Sequence, residues 1–345
     1  MISKSNVKCI KPWSSLFIKD SELRVCCWSK LALARLDAQT SIADFWNNDV
    51  ARFVRQKMLK GNTADICPKT CPILKSESDS LSCFEKHKSG FSKNERKIYE
   101  HLRKLEVKLG SKPFDVAVVI DHLCNLRCKM CFVFRNPAEN LNYIVPGGFY
   151  KIINQIHSSL RSLFLIGGEP FYSQRTLDFI EDCLNKDYKF KFGFITNLTI
   201  FKRELLSRIA IAGFCVSIDG ATKETYEKIR IGAKWDKVVK NLKALIRFEK
   251  ESKEHFVIKV AFLVMTSNFR EIPLAIDFFE PLGVALEFPP VIQIPGDPEN
   301  IFERKEYYIE FMQVIRRSRK KTSQMMVLNS LSILEQILKK GNRKT

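Results

Sequence analysis

The sequence has no long hydrophobic run. Its most apolar stretch, FVIKVAFLVM at 256–265, is interrupted by a lysine and falls far short of the roughly 20 residues a membrane-crossing helix needs. The opening residues, MISKSNVKCIKPW, lack the apolar segment and small-residue cleavage pattern of an export signal, so a soluble cytoplasmic chain with no membrane span is expected. Acidic residues are scarce: 38 Asp and Glu face 57 Lys and Arg, a net charge of +19. That imbalance suits an anionic partner. Yet the lysines are scattered, and the dense runs are RRSRKK at 316–321 and the terminal KKGNRKT. A solvated basic surface is the plainer reading, with nucleic acid kept as an alternative partner. No internal repeat is visible. The cysteine count, 11, is not even, and in a chain of this size without an export signal a disulfide framework is excluded in favour of metal or iron–sulfur ligation.

What is present is an ordinary globular composition, 45% hydrophobic with 26 Phe in 345 residues, enough for one large domain and a small one. From Phe114 onward, short apolar runs alternate with amphipathic helical stretches. The strand candidates are 114–120, 163–167, 192–196, 214–218, 256–264 and 284–288. Helical stretches between them carry one apolar stripe, as at Trp235, Val238, Val239, Leu242, Leu245 and Ile246. This is an α/β pattern of parallel βα units, and six of them curl into a partial (β/α)6 TIM-type barrel with its chemistry at the strands' C-terminal ends. Residues 1–75 form a small Cys-rich module around one helix from about Ser41 to Lys60, capped by Ser41 and ended by Gly61. A linker and helix fill 76–112, the barrel spans 113–298, and 299–345 supplies C-terminal helices.

The chemistry centres on Cys124, Cys128 and Cys131 in CNLRCKMC, just after the first barrel strand. Three thiolates on one loop hold three irons of a four-iron four-sulfur cluster and leave the fourth open to an external ligand. Zinc would want a fourth ligand, which remote cysteines can supply, so counting alone leaves it open. The next strand ends in Gly167, Gly168, Glu169 and Pro170. Glycines there allow close approach of a ligand to the backbone, and a carboxylate or carbonyl can receive an ammonium group; the plain alternative is a Gly-Gly turn.

The CxxxCxxC triad followed one βα unit later by GGEP resembles the radical S-adenosylmethionine (SAM) superfamily. The resemblance implies a SAM-binding 4Fe–4S cluster on the triad, reductive cleavage of SAM to a 5′-deoxyadenosyl radical, and hydrogen abstraction from a substrate. It places SAM against Gly167, Gly168, Glu169 and Pro170, and against Asn197 at the third strand's end. The run SIDGATKETYEKIRIG resembles relatives with auxiliary-cluster domains, and implies that Ser217 lies near the ribose or carboxylate of SAM and Arg230 pairs with its carboxylate. Met130 stands where the family often has an aromatic residue against the adenine side, with Phe132 a substitute. The plain readings are a strand-end cap for Ser217, a surface cation for Arg230 and a turn-ordering role for Asp219. No catalytic acid or base is assigned.

In the N-terminal stretch, Cys9, the pair Cys26 and Cys27, and CPKTC with Cys67 and Cys71 can converge on one closed site of four thiolates. The arrangement resembles the SPASM/twitch module, which holds an auxiliary 4Fe–4S cluster, here placed before the barrel. The resemblance implies Cys9, Cys26, Cys67 and Cys71 as ligands. The family commonly has a Gly five positions before the second ligand, where this chain has Ser21. Zinc and a purely structural module are the alternatives. Cys83 reads as a spare thiol, and Cys183 and Cys215 as core residues. Two segments carry no assigned role: 132–150, with Arg135, Asn136 and a Gly147-Gly148 turn, and the Pro-rich 289–300. The resemblance implies oxidative modification of a peptide, protein side chain or small metabolite, with flavodoxin or ferredoxin as electron donor. The alternatives are modification of RNA or a nucleotide, and a metal-stabilised binding protein without catalysis.

Overall fold

The computed structural model describes residues 7–69, 71–75, 80–135, 141–291 and 296–341. Nine strands are present among them: β1 (Ser15–Lys19), β2 (Glu22–Arg24), β3 (Ala34–Arg35), β4 (Asp115–Val119), β5 (Ser162–Ile166), β6 (Lys191–Thr196), β7 (Ile211–Ser217), β8 (Val257–Ala261) and β9 (Ala285–Glu287). They form one open sheet ordered β3-β2-β1-β4-β5-β6-β7-β8-β9. The six expected strands are β4 to β9. The chain divides into two compact units: Met1–Asp121 with Tyr143–Gly167 and Asp178–Phe192, and His122–Asn142 with Gly168–Leu177 and Gly193–Thr345.

In the first unit β1 runs parallel to β4, with Ser15 opposite Asp115 and Ile18 opposite Val118, and β4 runs parallel to β5. The N-terminal stretch, read from sequence as a module of its own, thus shares this unit with the first two barrel strands. Leu16 and Ile18 of β1 and Leu23 of β2 are buried, alternating with the more exposed Phe17, Lys19, Glu22 and Arg24. β1 and β2 pair antiparallel around the two-residue turn Asp20-Ser21, both left-handed at φ 51° and 57°, as the tight hairpin turn requires. Ser21 therefore occupies a left-handed conformation that favours glycine.

The helix expected from Ser41 to Lys60 is two, Ile42–Phe45 and Asp49–Leu59. Ser41 caps the first in a capping box. Asn48 breaks the run by accepting from the Ala51 N–H at 2.9 Å, and Asn47 exchanges two hydrogen bonds with the Leu109 backbone. Short amide side chains compete with helical bonding, which ends one helix and starts the next. Buried Arg55 on the second helix donates to the carbonyls of Pro12, Trp46 and Val107 and sits over the Trp46 ring at 4.8 Å. The stretch read as linker is packed: Phe84 stacks on Phe91 at 4.2 Å and on Phe114 at 5.6 Å. The helix Lys93–Arg103 there is capped by Ser92 and Glu95. Gly147 precedes the helix Gly148–Ile156, as the turn reading expects.

In the second unit β7, β8 and β9 are parallel neighbours. The helix Trp235–Glu251 buries Val238, Leu242 and Leu245 of the stripe read from sequence, and Phe248 one turn along. The two C-terminal helices are Tyr308–Arg319 and Met325–Gly341. Part of the 316–321 basic run is internally paired, Arg319 with Glu335 and Lys321 with Asp277. Among the described residues no helix is long and apolar enough to cross a membrane.

Candidate functional site

The three cysteines of CNLRCKMC lie on a loop at the start of the second unit's first segment. The loop is pinned by backbone bonds from Arg127 N to Ile231 O and from Lys129 N to Ile229 O, each 2.9 Å, and by the turn from Cys131 N to Cys128 O. Leu126 is buried beneath it. Nitrogen donors point at the sulfurs: Leu126 N lies 3.4 Å and Asn197 Nδ2 3.8 Å from Cys124 Sγ, and Arg230 Nη1 lies 3.7 Å from Cys128 Sγ.

Asn197, at the end of β6, is buried. Its Nδ2 donates to Asn125 Oδ1 (3.1 Å), Asn125 Nδ2 donates to Thr199 Oγ1 (2.8 Å), and Thr199 Oγ1 donates to Asn197 Oδ1 (2.7 Å). This closed ring ties the cysteine loop to the strand end. Asn125 and Thr199 were missed in the sequence, though Asn125 stands inside the CxxxC spacing.

GGEP serves the loop from the other side. Gly167 has φ 115°, and a Cβ there would meet Val119 Cγ1 at 2.7 Å. A Cβ on Gly168 would meet the Leu123 carbonyl oxygen at 2.0 Å, and Glu169 N donates to that same oxygen at 2.7 Å. The strand end thus touches the backbone just before Cys124, which only glycine permits. The Glu169 side chain is fully buried. Its Oε1 accepts from Thr196 Oγ1 (2.6 Å) and Phe171 N (3.3 Å), and its Oε2 from Asn197 N (2.7 Å). Burial pushes its carboxyl up to about 7, against the opposing pull of these hydrogen bonds. Pro170 is buried behind it. Three hydrogen bonds within the protein thus occupy most of the carboxylate's acceptor capacity.

Ser217, half-buried, ends β7 opposite Ala261. Two residues on, Asp219 is fully buried. Its Oδ1 accepts from Leu263 N (2.8 Å), and its Oδ2 takes both Nε (2.6 Å) and Nη2 (2.5 Å) of Arg230. Arg230 is therefore a half-buried, anchored cation with Nη1 turned to Cys128. Its two-pronged edge is spent on Asp219, and the local turn-ordering role suggested for Asp219 gives way to this longer-range anchor. Met130 packs with Leu263 against buried Ile229, Met265 and Val291. Phe132 stands edge-on to His122 at 5.7 Å. Asn136 and residues 292–295 lie outside the described residues.

The donor set fits an iron–sulfur cluster. Burial pushes the Cys124 thiol up to about 11, and nearby Cys128, Glu169 and Cys131 add to it. Burial likewise raises Cys128, while Arg230 opposes. Thiols that resist ionising together need a cation to hold them as thiolates, and N–H groups aimed at sulfur suit an anionic cluster.

In the first unit several of the N-terminal thiols lie within electrostatic reach of one another. Cys26 is pushed up to about 12 by burial, with further repulsion from Cys27, Cys9 and Cys67. Cys67 is raised to about 11 by burial and by Cys71 and Cys9. Cys27, exposed, feels Cys71 and Lys11. Among the described residues no three His, Cys, Asp or Glu side chains close on a single metal ion.

Cys183 is buried as expected, and Cys83 is exposed on the short helix Ser80–Glu85. Cys215 departs from the core reading. It is half-buried on the same face of β7 as Ser217, opposite Lys259, whose Nζ pairs with Glu287 at 2.9 Å. The visible signal was the lone charge in FVIKVAFLV.

Residues 118–267 match the model of the radical SAM superfamily. Among curated proteins the chain is similar to the probable GTP 3′,8-cyclase of Methanocaldococcus jannaschii, 24% identical over 226 residues that cover 64% of this chain and 72% of that protein. The like-named protein of Methanococcus maripaludis is 24% identical over 225 residues, covering 64% and 71%. Among solved structures, Streptococcus suis SuiB bound to precursor peptide SuiA aligns with TM-score 0.45 and 16% identity, over 79% of this chain and 60% of that one. Native anSMEcpe with bound AdoMet and Cp18Cys peptide aligns with TM-score 0.43 and 17% identity, over 59% and 62%. The chain thus spans less than two thirds of the length of these two structures.

Proposed function

We propose that this chain, a radical SAM superfamily enzyme, binds a 4Fe–4S cluster and SAM at Cys124, Cys128 and Cys131, and takes a hydrogen atom from a peptide, a protein side chain or a small metabolite. When bound, the cluster and SAM supply a one-electron cleavage to methionine and a 5′-deoxyadenosyl radical. The observation that carries the reading is that three N–H donors point at the sulfurs of Cys124 and Cys128 on the short CxxxCxxC loop, with the GGEP strand end closed against the backbone just before it.

The chain's own groups hold and orient. The Asn125–Asn197–Thr199 ring keeps the cysteine loop in register, and Glu169 fixes the end of β6. Gly167, Gly168 and Pro170 offer backbone for close approach. Arg230, anchored by Asp219, supplies positive charge beside Cys128 for the carboxylate of SAM, Ser217 a hydroxyl at the strand end, and Met130 an apolar wall. Cys215, Lys259 and Glu287 share the face of Ser217 and present polar groups to a substrate. Cys9, Cys26, Cys67 and Cys71 hold a second, auxiliary 4Fe–4S cluster that accepts or relays an electron, and a flavodoxin or ferredoxin delivers the first.

A nucleotide substrate is the second reading, favoured by the names of the curated relatives and by the +19 charge. Bulk tRNA association that vanishes between about 50 and 200 mM salt reflects charge alone, whereas saturable binding of a nucleotide that survives salt favours this reading. The main test is anaerobic reconstitution. About eight irons per chain and reductant-dependent 5′-deoxyadenosine are expected; tightly held zinc without SAM cleavage defeats the proposal and leaves the non-catalytic binding protein.

A further inference from the structure

Lys129 and Met130 fill the short gap between Cys128 and Cys131, and two residues of the Pro-rich stretch 289–300 take hold of them. The Lys129 ammonium pairs with Glu299 Oε1. Glu299 is buried and fixed by further bonds: Ser267 N donates to its Oε2 (3.0 Å), Thr266 N to its carbonyl (3.0 Å), and its own N to Asp297 Oδ1 (2.9 Å). The Lys129 side chain is half exposed. Taking a carboxylate out of water is costly unless a cation and donors meet it, so this pair is built from the Glu299 side.

Next to it, Met130 packs with Leu263 on buried Ile229, Met265 and Val291. Val291 belongs to the same Pro-rich stretch, and its N donates to the Val264 carbonyl at 3.2 Å. Lys129 N donates at 2.9 Å to the carbonyl of Ile229, the residue whose side chain meets Met130. Two consecutive residues between ligand cysteines are thus gripped by different means, one by charge and one by packing. Methionine is unbranched, has three rotatable bonds and fills whatever space it is given. A wall made of it has a definite place only if its backbone is held from outside.

We propose that the Lys129–Glu299 pair is a clamp by which the stretch after β9 positions Met130 against the adenine side of bound SAM. Both are positioning residues, acting through Met130 and not on the reacting atoms. The inference rests on the SAM reading above.

The two halves of SAM separate the outcomes, with methionine taking the open iron and the adenosine half the apolar wall. Full-length, reconstituted Glu299→Gln keeps an acceptor for Ser267 N. It is expected to bind 5′-deoxyadenosine about tenfold more weakly, measured by calorimetry at saturating methionine, while iron content and the EPR change on adding methionine stay at wild type. Lys129→Met is expected to match it, and the double variant to be no weaker than either. Lys129→Arg keeps the ion pair and is expected to keep wild-type affinity. Unchanged affinity in both single variants, or an additive double variant, overturns the proposal. Loss of iron or of the methionine response overturns it as well, since the pair then holds the whole cysteine loop and not the Met130 wall. Failure of the cluster reading looks different: wild-type iron would not depend on Cys124, Cys128 and Cys131, and no SAM-sensitive EPR signal would exist.

Discussion

At Glu169 the protein buries a carboxyl group whose oxygens accept from Thr196, Phe171 and Asn197. Burial raises it from an ordinary 4.5 to about 7. The folded state therefore holds this proton more tightly than the unfolded chain does. The sign follows: the contribution to stability is fullest below pH 4.5, falls as pH rises through about 7, and is level above, a loss of about 3 kcal/mol. Urea unfolding of metal-free wild type and Glu169→Gln between pH 5 and 8 checks this. The wild-type curve is expected to drop relative to the variant across that window; parallel curves would place the carboxyl outside the low-dielectric interior. The motif marked Glu169 for ligand binding, but its use as a strap between strand ends was not legible, because Thr196 and Asn197 are 27 and 28 residues away.

Between elements, the contact that matters is β5's end against the stretch before Cys124. Gly168→Ala puts a Cβ on the Leu123 carbonyl, and backbone cannot give way as a flexible side chain can. The expected outcome is a displaced cysteine loop: SAM affinity reduced at least about tenfold, or roughly 1.4 kcal/mol, measured by calorimetry on reconstituted protein. Wild-type affinity in Gly168→Ala would mean the loop and strand end move independently. Strands β4 to β9 were readable from their apolar runs, whereas β1 to β3, SLFIK, ELR and AR with a charge in each, were not. The helix break at Asn47-Asn48 was also hidden: the Val54 and Met58 stripe continues through it, and only the bonds to Leu33 and Leu109 reveal why the backbone turns.

For the whole molecule, the two sets of cysteines predict separable metal contents. Cys67→Ser with Cys71→Ser is expected to lower iron from about eight to about four per chain while sparing the SAM-sensitive EPR signal; Cys124→Ser with Cys128→Ser should remove that signal and leave the other four. Iron and sulfide analysis with EPR reads both. Zinc in the first set, or loss of all iron from either pair, contradicts the two-cluster reading. The +19 charge belongs to this scale too. With Arg319 and Lys321 paired to Glu335 and Asp277, the one dense basic run outside the tail is partly neutralised, so the charge describes the surface as a whole more than a single binding patch.

Sequence alone determined what is local. Three thiols within eight residues share a loop because the chain between them is too short to separate them, and GGEP must end a strand because glycine and proline stop one. Alternating apolar runs likewise prescribe βα units. Tertiary structure decided what depends on distant segments meeting: that Arg230 is anchored by Asp219, that Asn125 and Thr199 complete a ring with Asn197, that half-buried Cys215 lies opposite Lys259, and that β1 lies beside β4. Burial drives those meetings and hydrogen bonds choose among them, and neither leaves a mark on the spacing of residues along the chain.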